Sequence, residues 1–140
     1  MRSTGTYRYS PTLNGSTQRR DGGSTRWWLI IDCDPELGRY LRHLFTLSTF
    51  RTRKLQPPLW GAHISVIRGE EPPDPAAWGR LDGQSVEFEF EPAVRETDGY
   101  LWVPVFCDPA LRIREELALP REPNPPLHLT VGNLKHEEDN

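Results

Sequence analysis

Cysteine is scarce: Cys33 and Cys107 are the only two in 140 residues. Two thiols cannot build the disulfide lattice of a small secreted domain, and they are too few for a structural zinc site. They are read as reduced thiols of a cytoplasmic protein. An excess of positive charge is also missing. The 17 Lys and Arg are outnumbered by 20 Asp and Glu, for a net charge of −3. No field is available to hold a long nucleic acid non-specifically, so any nucleotide ligand is expected to be small and locally bound. No apolar run approaches the ~20 residues of a membrane-spanning helix, and no membrane association is expected. Met1 to Arg26 has no apolar core of the signal-peptide kind. A glycine-rich phosphate loop is absent, and no metal or cofactor is expected.

What remains fits one domain. Residues 1–25 are rich in Ser, Thr, Gly and Arg and read as a mobile or loosely docked tail. Residues 26–134 form the domain, and 135–140 a polar C-terminal tail. Strands are expected over Arg26–Asp32, Gly61–Gly69, Ser85–Phe90 and Tyr100–Phe106, the last with Pro104 marking an edge or a bulge. Asp34-Pro35-Glu36 carries helix-start chemistry, and Leu37, Tyr40, Leu41, Leu44 and Phe45 then share one helical face. Cys107-Asp108-Pro109 opens a second helix running to about Leu119.

These elements repeat. Ile31-Asp32-Cys33-Asp34-Pro35-Glu36-Leu37 matches Val105-Phe106-Cys107-Asp108-Pro109-Ala110-Leu111. Each copy leads, through a proline-containing connector, to a short strand: His63-Ile64-Ser65-Val66 in one and His128-Leu129-Thr130-Val131 in the other. The pattern is an internal repeat of strand, helix, histidine strand, expected to be related by a pseudo-two-fold axis. Alternation in a strand places His63 with Ser65, and His128 with Thr130, opposite a buried apolar face.

A lone histidine on a strand is more often structural than catalytic. Two imidazoles, each beside a hydroxyl, are poor core material because every polar atom needs a partner. The matched pair therefore points to a polar cleft. Histidine has a reference pKa of about 6.5, so one ring can be neutral while its neighbour is protonated. A neutral ring takes a proton from an attacking 2′-hydroxyl or water, and a protonated one supplies the leaving oxygen. Ser65 and Thr130 would donate to the non-bridging phosphate oxygens. Either histidine suits either role. His43 and His136 read as solvated, and Asp32, Asp34 and Asp108 as helix caps rather than ligands. Among five tryptophans, Trp28, Trp60 and Trp102 lie nearest the motifs; core packing is the default, and one exposed ring would stack a base. Arg68, at the end of the first motif, is a candidate phosphate contact, with Arg51, Arg53 and Lys54 in the preceding loop.

The paired His-Ile-Ser-Val and His-Leu-Thr-Val strands resemble the two-histidine (2H) phosphoesterases. Over Trp60–Pro72, Ile113–Arg121 and His128–Asn133 the chain is similar to the phage anti-CBASS nucleases, which degrade cyclic di- and trinucleotide signals of bacterial defence without metal. The resemblance implies a bilobal α+β fold of two antiparallel sheets with flanking helices and a groove between the lobes. It also implies that His63 and His128 are catalytic, that Ser65 and Thr130 bind phosphate, and that the protein acts in the infected host cytoplasm. Ser65 stands where the family commonly has Thr. RNA 2′,3′-cyclic phosphate or 2′,5′ phosphodiesterase activity, and a non-catalytic cyclic-nucleotide sponge, are the alternative readings. Base preference, ring size and oligomeric state are left open.

Overall fold

The computed structural model describes residues 1–12, 24–49, 55–58 and 60–134. In chain order the elements are β1 (Arg2–Tyr9), β2 (Trp28–Cys33), α1 (Pro35–Thr49), β3 (His63–Arg68), β4 (Ser85–Phe90), β5 (Arg95–Thr97), β6 (Tyr100–Phe106), α2 (Asp108–Glu116) and β7 (His128–Asn133). A short 3-10 turn covers Pro75–Ala77, started by the Asp74 side chain.

The strands form one antiparallel sheet in the order β4-β1-β2-β3-β7-β6-β5. The C-terminal end of β6 also pairs with β4, Glu89 against Phe106 and Phe90 against Val105. That pairing closes six strands into a barrel, with β5 left as an appendage of β6. The expected bilobal α+β fold of two sheets is therefore not what the chain adopts. It is mostly β, with two helices among the described residues. Closure leaves no groove between lobes, because a ring of paired strands has neither a gap nor a second sheet.

The decisive strand is β1. Its register joins it to β2 on one side and to β4 on the other. The segment read as the start of a tail is thus a central member of the sheet. Only Gly5 and Tyr7 are buried along it, so its apolar signal is faint. Residues 13–23 of the expected tail, and all of 135–140, lie outside the described residues.

Burial follows the alternation elsewhere. In β4, Val86, Phe88 and Phe90 face inward while Ser85, Glu87 and Glu89 are exposed. Leu29, Ile31, Ile64, Ile67, Leu101, Val103 and Leu129 fill the core at near-zero exposure. On α1, Leu41 and Phe45 join the core, but Tyr40, placed on the apolar face by its spacing, is exposed. Pro104 marks a local edge: it pairs with His128 of β7 on one flank and has no paired strand residue on the other. It falls between the stretch of β6 that pairs with β5 and the stretch that pairs with β4. Its carbonyl accepts from Glu91 N–H on that flank, and the proline has no N–H to return the bond, so the β4 ladder stops there.

The helices start differently. Asp34 caps α1, its Oδ1 accepting from Glu36 N–H at 2.9 Å. At α2 the capping position is Cys107, with no side-chain bond, and Asp108 instead pairs with Arg121. Asp32 caps nothing; its carboxylate pairs with Arg8 of β1 at 2.9 Å. Both cysteines are buried and unbridged, and burial first of all pushes their thiols up, so both stay protonated. Each helix packs on the histidine strand of the other repeat, α1 on β7 and α2 on β3.

Candidate functional site

The two histidine strands are direct neighbours. His63 pairs with Thr130 and Ile64 with Leu129, in antiparallel register. Residues directly opposite share a sheet face. Ile64 and Leu129 point into the barrel at 0% exposure, so His63, Ser65, His128 and Thr130 project outward, all half-buried. The two sets do not confront one another across a cleft. They interleave on one face, with His63 beside Thr130 and, one step along, Ser65 beside His128. The imidazoles are then diagonal neighbours, whose Cβ atoms in such a ladder lie about 7–8 Å apart or less. Ring tips at that spacing leave room for one phosphate hydrogen-bonded on both sides.

The rings are oriented by the same device. His63 Nδ1 bonds the Gly61 carbonyl at 2.8 Å, and His128 Nδ1 bonds the Pro126 carbonyl at 2.9 Å, each two residues upstream. A carbonyl only accepts, so each Nδ1 carries the hydrogen. Nε2 is left as the atom that exchanges a proton with a ligand.

Their surroundings differ. His63 meets the edge of Trp28 at 5.6 Å between centroids, and Trp28 meets Trp60 at 5.0 Å. Trp28 is buried, and its Nε1–H donates to Ser65 Oγ at 3.0 Å. That bond uses an acceptor site of the hydroxyl and leaves its hydrogen to point elsewhere. Trp60 Nε1 is buried without a partner. Burial holds the His63 imidazole below its usual range; the Gly61 bond opposes this, while Arg68 and His128 reinforce it as nearby positive charges. On the other side His128 meets Trp102 at 5.8 Å. Trp102 is half-buried, its Nε1–H donates to Thr97 Oγ1 at 3.0 Å, and Arg95 lies over its ring at 5.5 Å.

The three tryptophans singled out by position all lie beside the histidines or one ring away. Trp27 joins a different cluster, packing on Trp78, which also meets Tyr9. Trp27 is half-buried and Trp28 buried, and it is the buried ring that lies beside the site. Arg68 is exposed and pairs in register with Trp28, on the face of Ser65. His43 is exposed, as expected. Arg51, Arg53, Lys54 and His136 lie outside the described residues.

Sequence reasoning missed Arg95 and Thr97, which come from a strand of three exposed residues with no apolar pattern. It also missed the two arginines behind the strands, Arg42 and Arg114, whose only sequence signal is a basic side chain within a helix. Among the described residues no three His, Cys, Asp or Glu converge as a metal site. No described helix is long and apolar enough to cross a membrane. No protein-family model, curated protein or solved structure matches this chain significantly.

Proposed function

We propose that this protein is a metal-independent phosphodiesterase of 3′,5′-linked cyclic di- and trinucleotides, acting in the cytoplasm of an infected bacterium against CBASS signalling. The observation that carries the reading is the pair of outward imidazoles on adjacent strands, each pinned through Nδ1 and each beside a hydroxyl. The similarity of the motif strands to the anti-CBASS nucleases supplies the substrate class. Because the barrel is not the bilobal fold that similarity implied, the reading rests on the site.

The surroundings favour a division of labour. His63, held toward its neutral form, is the base that takes the proton from the attacking oxygen. His128 delivers a proton from Nε2 to the leaving oxygen. Attack forms one P–O bond and breaks the opposite one, and each proton transfer is worth about 10²–10⁴-fold. Ser65 and Thr130 donate to the non-bridging oxygens as their charge grows, and Arg68 offsets the phosphate charge. A ribose 2′-hydroxyl as nucleophile leaves a 2′,3′-cyclic phosphate; water leaves a linear phosphate.

Incubation with cyclic dinucleotides in EDTA, followed by chromatography of the products, tests the reading. Linear products uphold it, and intact substrate at high enzyme concentration rejects it. Adding 2′,3′-cyclic phosphate and 2′,5′-linked substrates to the panel distinguishes RNA end processing. Tight binding without turnover would mean a sponge.

A further inference from the structure

Both histidine strands carry a β-bulge at the same place. On β3 the register passes from Ile30–Ser65 to Leu29–Ile67, skipping Val66. On β7 it passes from Trp102–Thr130 to Leu101–Gly132, skipping Val131. Each skipped valine lies three residues after its histidine and directly after its hydroxyl. A bulge residue is left out of the ladder and bends its strand, re-aiming the side chains around it.

Each of these valines is held by an arginine from the helix of the opposite repeat. Arg114 of α2, 1% exposed, donates from NH1 to Val66 O at 2.9 Å. The same guanidinium grips Glu70 with two bonds of 2.8 and 2.9 Å and donates from Nε to Pro120 O at 2.8 Å. Arg42 of α1 donates from NH1 to Val131 O at 2.6 Å. Its stem passes so close to Gly132 that a Cβ there would sit 2.9 Å from Arg42 Cδ. A buried guanidinium held by four bonds is costly to place and geometrically demanding, which suits a device for alignment better than one for stability alone.

The bulge has a definite consequence on β3. It reverses the alternation, so that Ile67 enters the core and Arg68 emerges on the face of His63 and Ser65. An unbulged strand would turn Ile67 outward and Arg68 inward.

We infer that Arg114 and Arg42 are positioning residues that clamp the two bulges, and through them aim the His63–Ser65–Arg68 and His128–Thr130 sets at a common ligand. The part of this that concerns turnover rests on the proposed phosphodiesterase activity; the part that concerns imidazole geometry does not.

The test uses the full chain with Arg42→Met, Arg42→Lys and Arg114→Lys. Arg42→Met is expected to lower kcat about 10- to 100-fold with KM little changed, as a small misplacement of reacting groups does. Arg42→Lys, which can still donate to Val131, is expected to restore most of the loss. In side-chain ¹H–¹⁵N spectra the His128 signals should move from a single Nδ1–H tautomer toward a mixture in Arg42→Met and return in Arg42→Lys. Arg114→Lys, whose single ammonium cannot make all four of the arginine's bonds, should move the His63 signals as Arg42→Met moves those of His128. A folded Arg42→Met with a lower Tm but unchanged kcat and unchanged His128 signals overturns the inference, because a merely structural arginine gives that result. If wild-type protein turns over no cyclic nucleotide, the proposed function fails. The imidazole spectra then decide alone: moved and restored signals uphold the clamp, and unmoved signals reject it.

Discussion

The half around His63 and the half around His128 share a motif, a bulge and an arginine, yet they surround their imidazoles differently. His63 sits against buried Trp28, backed by Trp60, and its hydroxyl partner Ser65 is tied to Trp28. His128 sits against half-buried Trp102, whose indole bonds Thr97 and lies under exposed Arg95. The backbone device is duplicated and the dielectric is not. Beside the buried Trp28, desolvation holds the His63 ring toward its neutral form.

The sharpest way to break this comparison is to delete each ring. His63→Ala and His128→Ala are each expected to lower kcat by about 10²–10⁴-fold while leaving cyclic-dinucleotide binding near wild type, read by turnover and calorimetry. Turnover near wild type with either ring removed would show that the removed ring has no role as base or acid. A smaller asymmetry is expected at the hydroxyls. Ser65→Ala removes a proposed phosphate donor and also the hydroxyl that accepts from the Trp28 indole N–H, whereas Thr130→Val removes only the proposed donor. Both should cost kcat about 10²-fold, and Ser65→Ala should in addition lower Tm.

The helix starts compare the halves without the chemistry. Asp34→Ala should destabilise by about 1 kcal/mol in urea unfolding, because it removes a side-chain cap. Asp108→Ala should cost less, since that carboxylate makes an exposed pair with Arg121 and no side-chain cap of α2.

The smallest effect expected is on pH. With His63 as base, kcat/KM should fall on the acid side only when the pH drops through a value below the ordinary 6.5 or so, because burial favours the neutral ring. The same shift governs stability. The unfolded chain protonates His63 at a higher pH than the folded chain does, so stability is lost as pH falls below about 6.5 toward the folded value. His63→Gln should flatten that slope in Tm measured between pH 7 and 5. An acid limb at or above the reference value would assign the base role elsewhere.

Much of the local structure was legible. Ser85–Phe90 and Tyr100–Phe106 are strands over those very residues, because strict alternation and β-branched or aromatic side chains speak for themselves. The His-x-hydroxyl strands were legible for the same reason, as was the start of α1 at Asp34-Pro35. The barrel was not. It depends on β1, whose eight residues bury only Gly5 and Tyr7, and on the short β4–β6 contact at Glu89–Phe106. Neither leaves a periodic trace, since pairing between distant strands is settled by neighbours and not by local pattern. Asp32 shows the same limit: its partner Arg8 is supplied by the strand that composition concealed.

Taken alone, the order of amino acids determined which residues alternate, where the helices begin, and that two imidazole–hydroxyl sets recur in matching places; these follow from periods of two and 3.6 and from capping chemistry over a few residues. Only the folded chain decided that the sheet closes on itself, that the two sets interleave on one outer face, and that an arginine from each half grips the bulge of the other. Those outcomes come from hydrogen bonds and desolvation between segments tens of residues apart, where local pattern has no say.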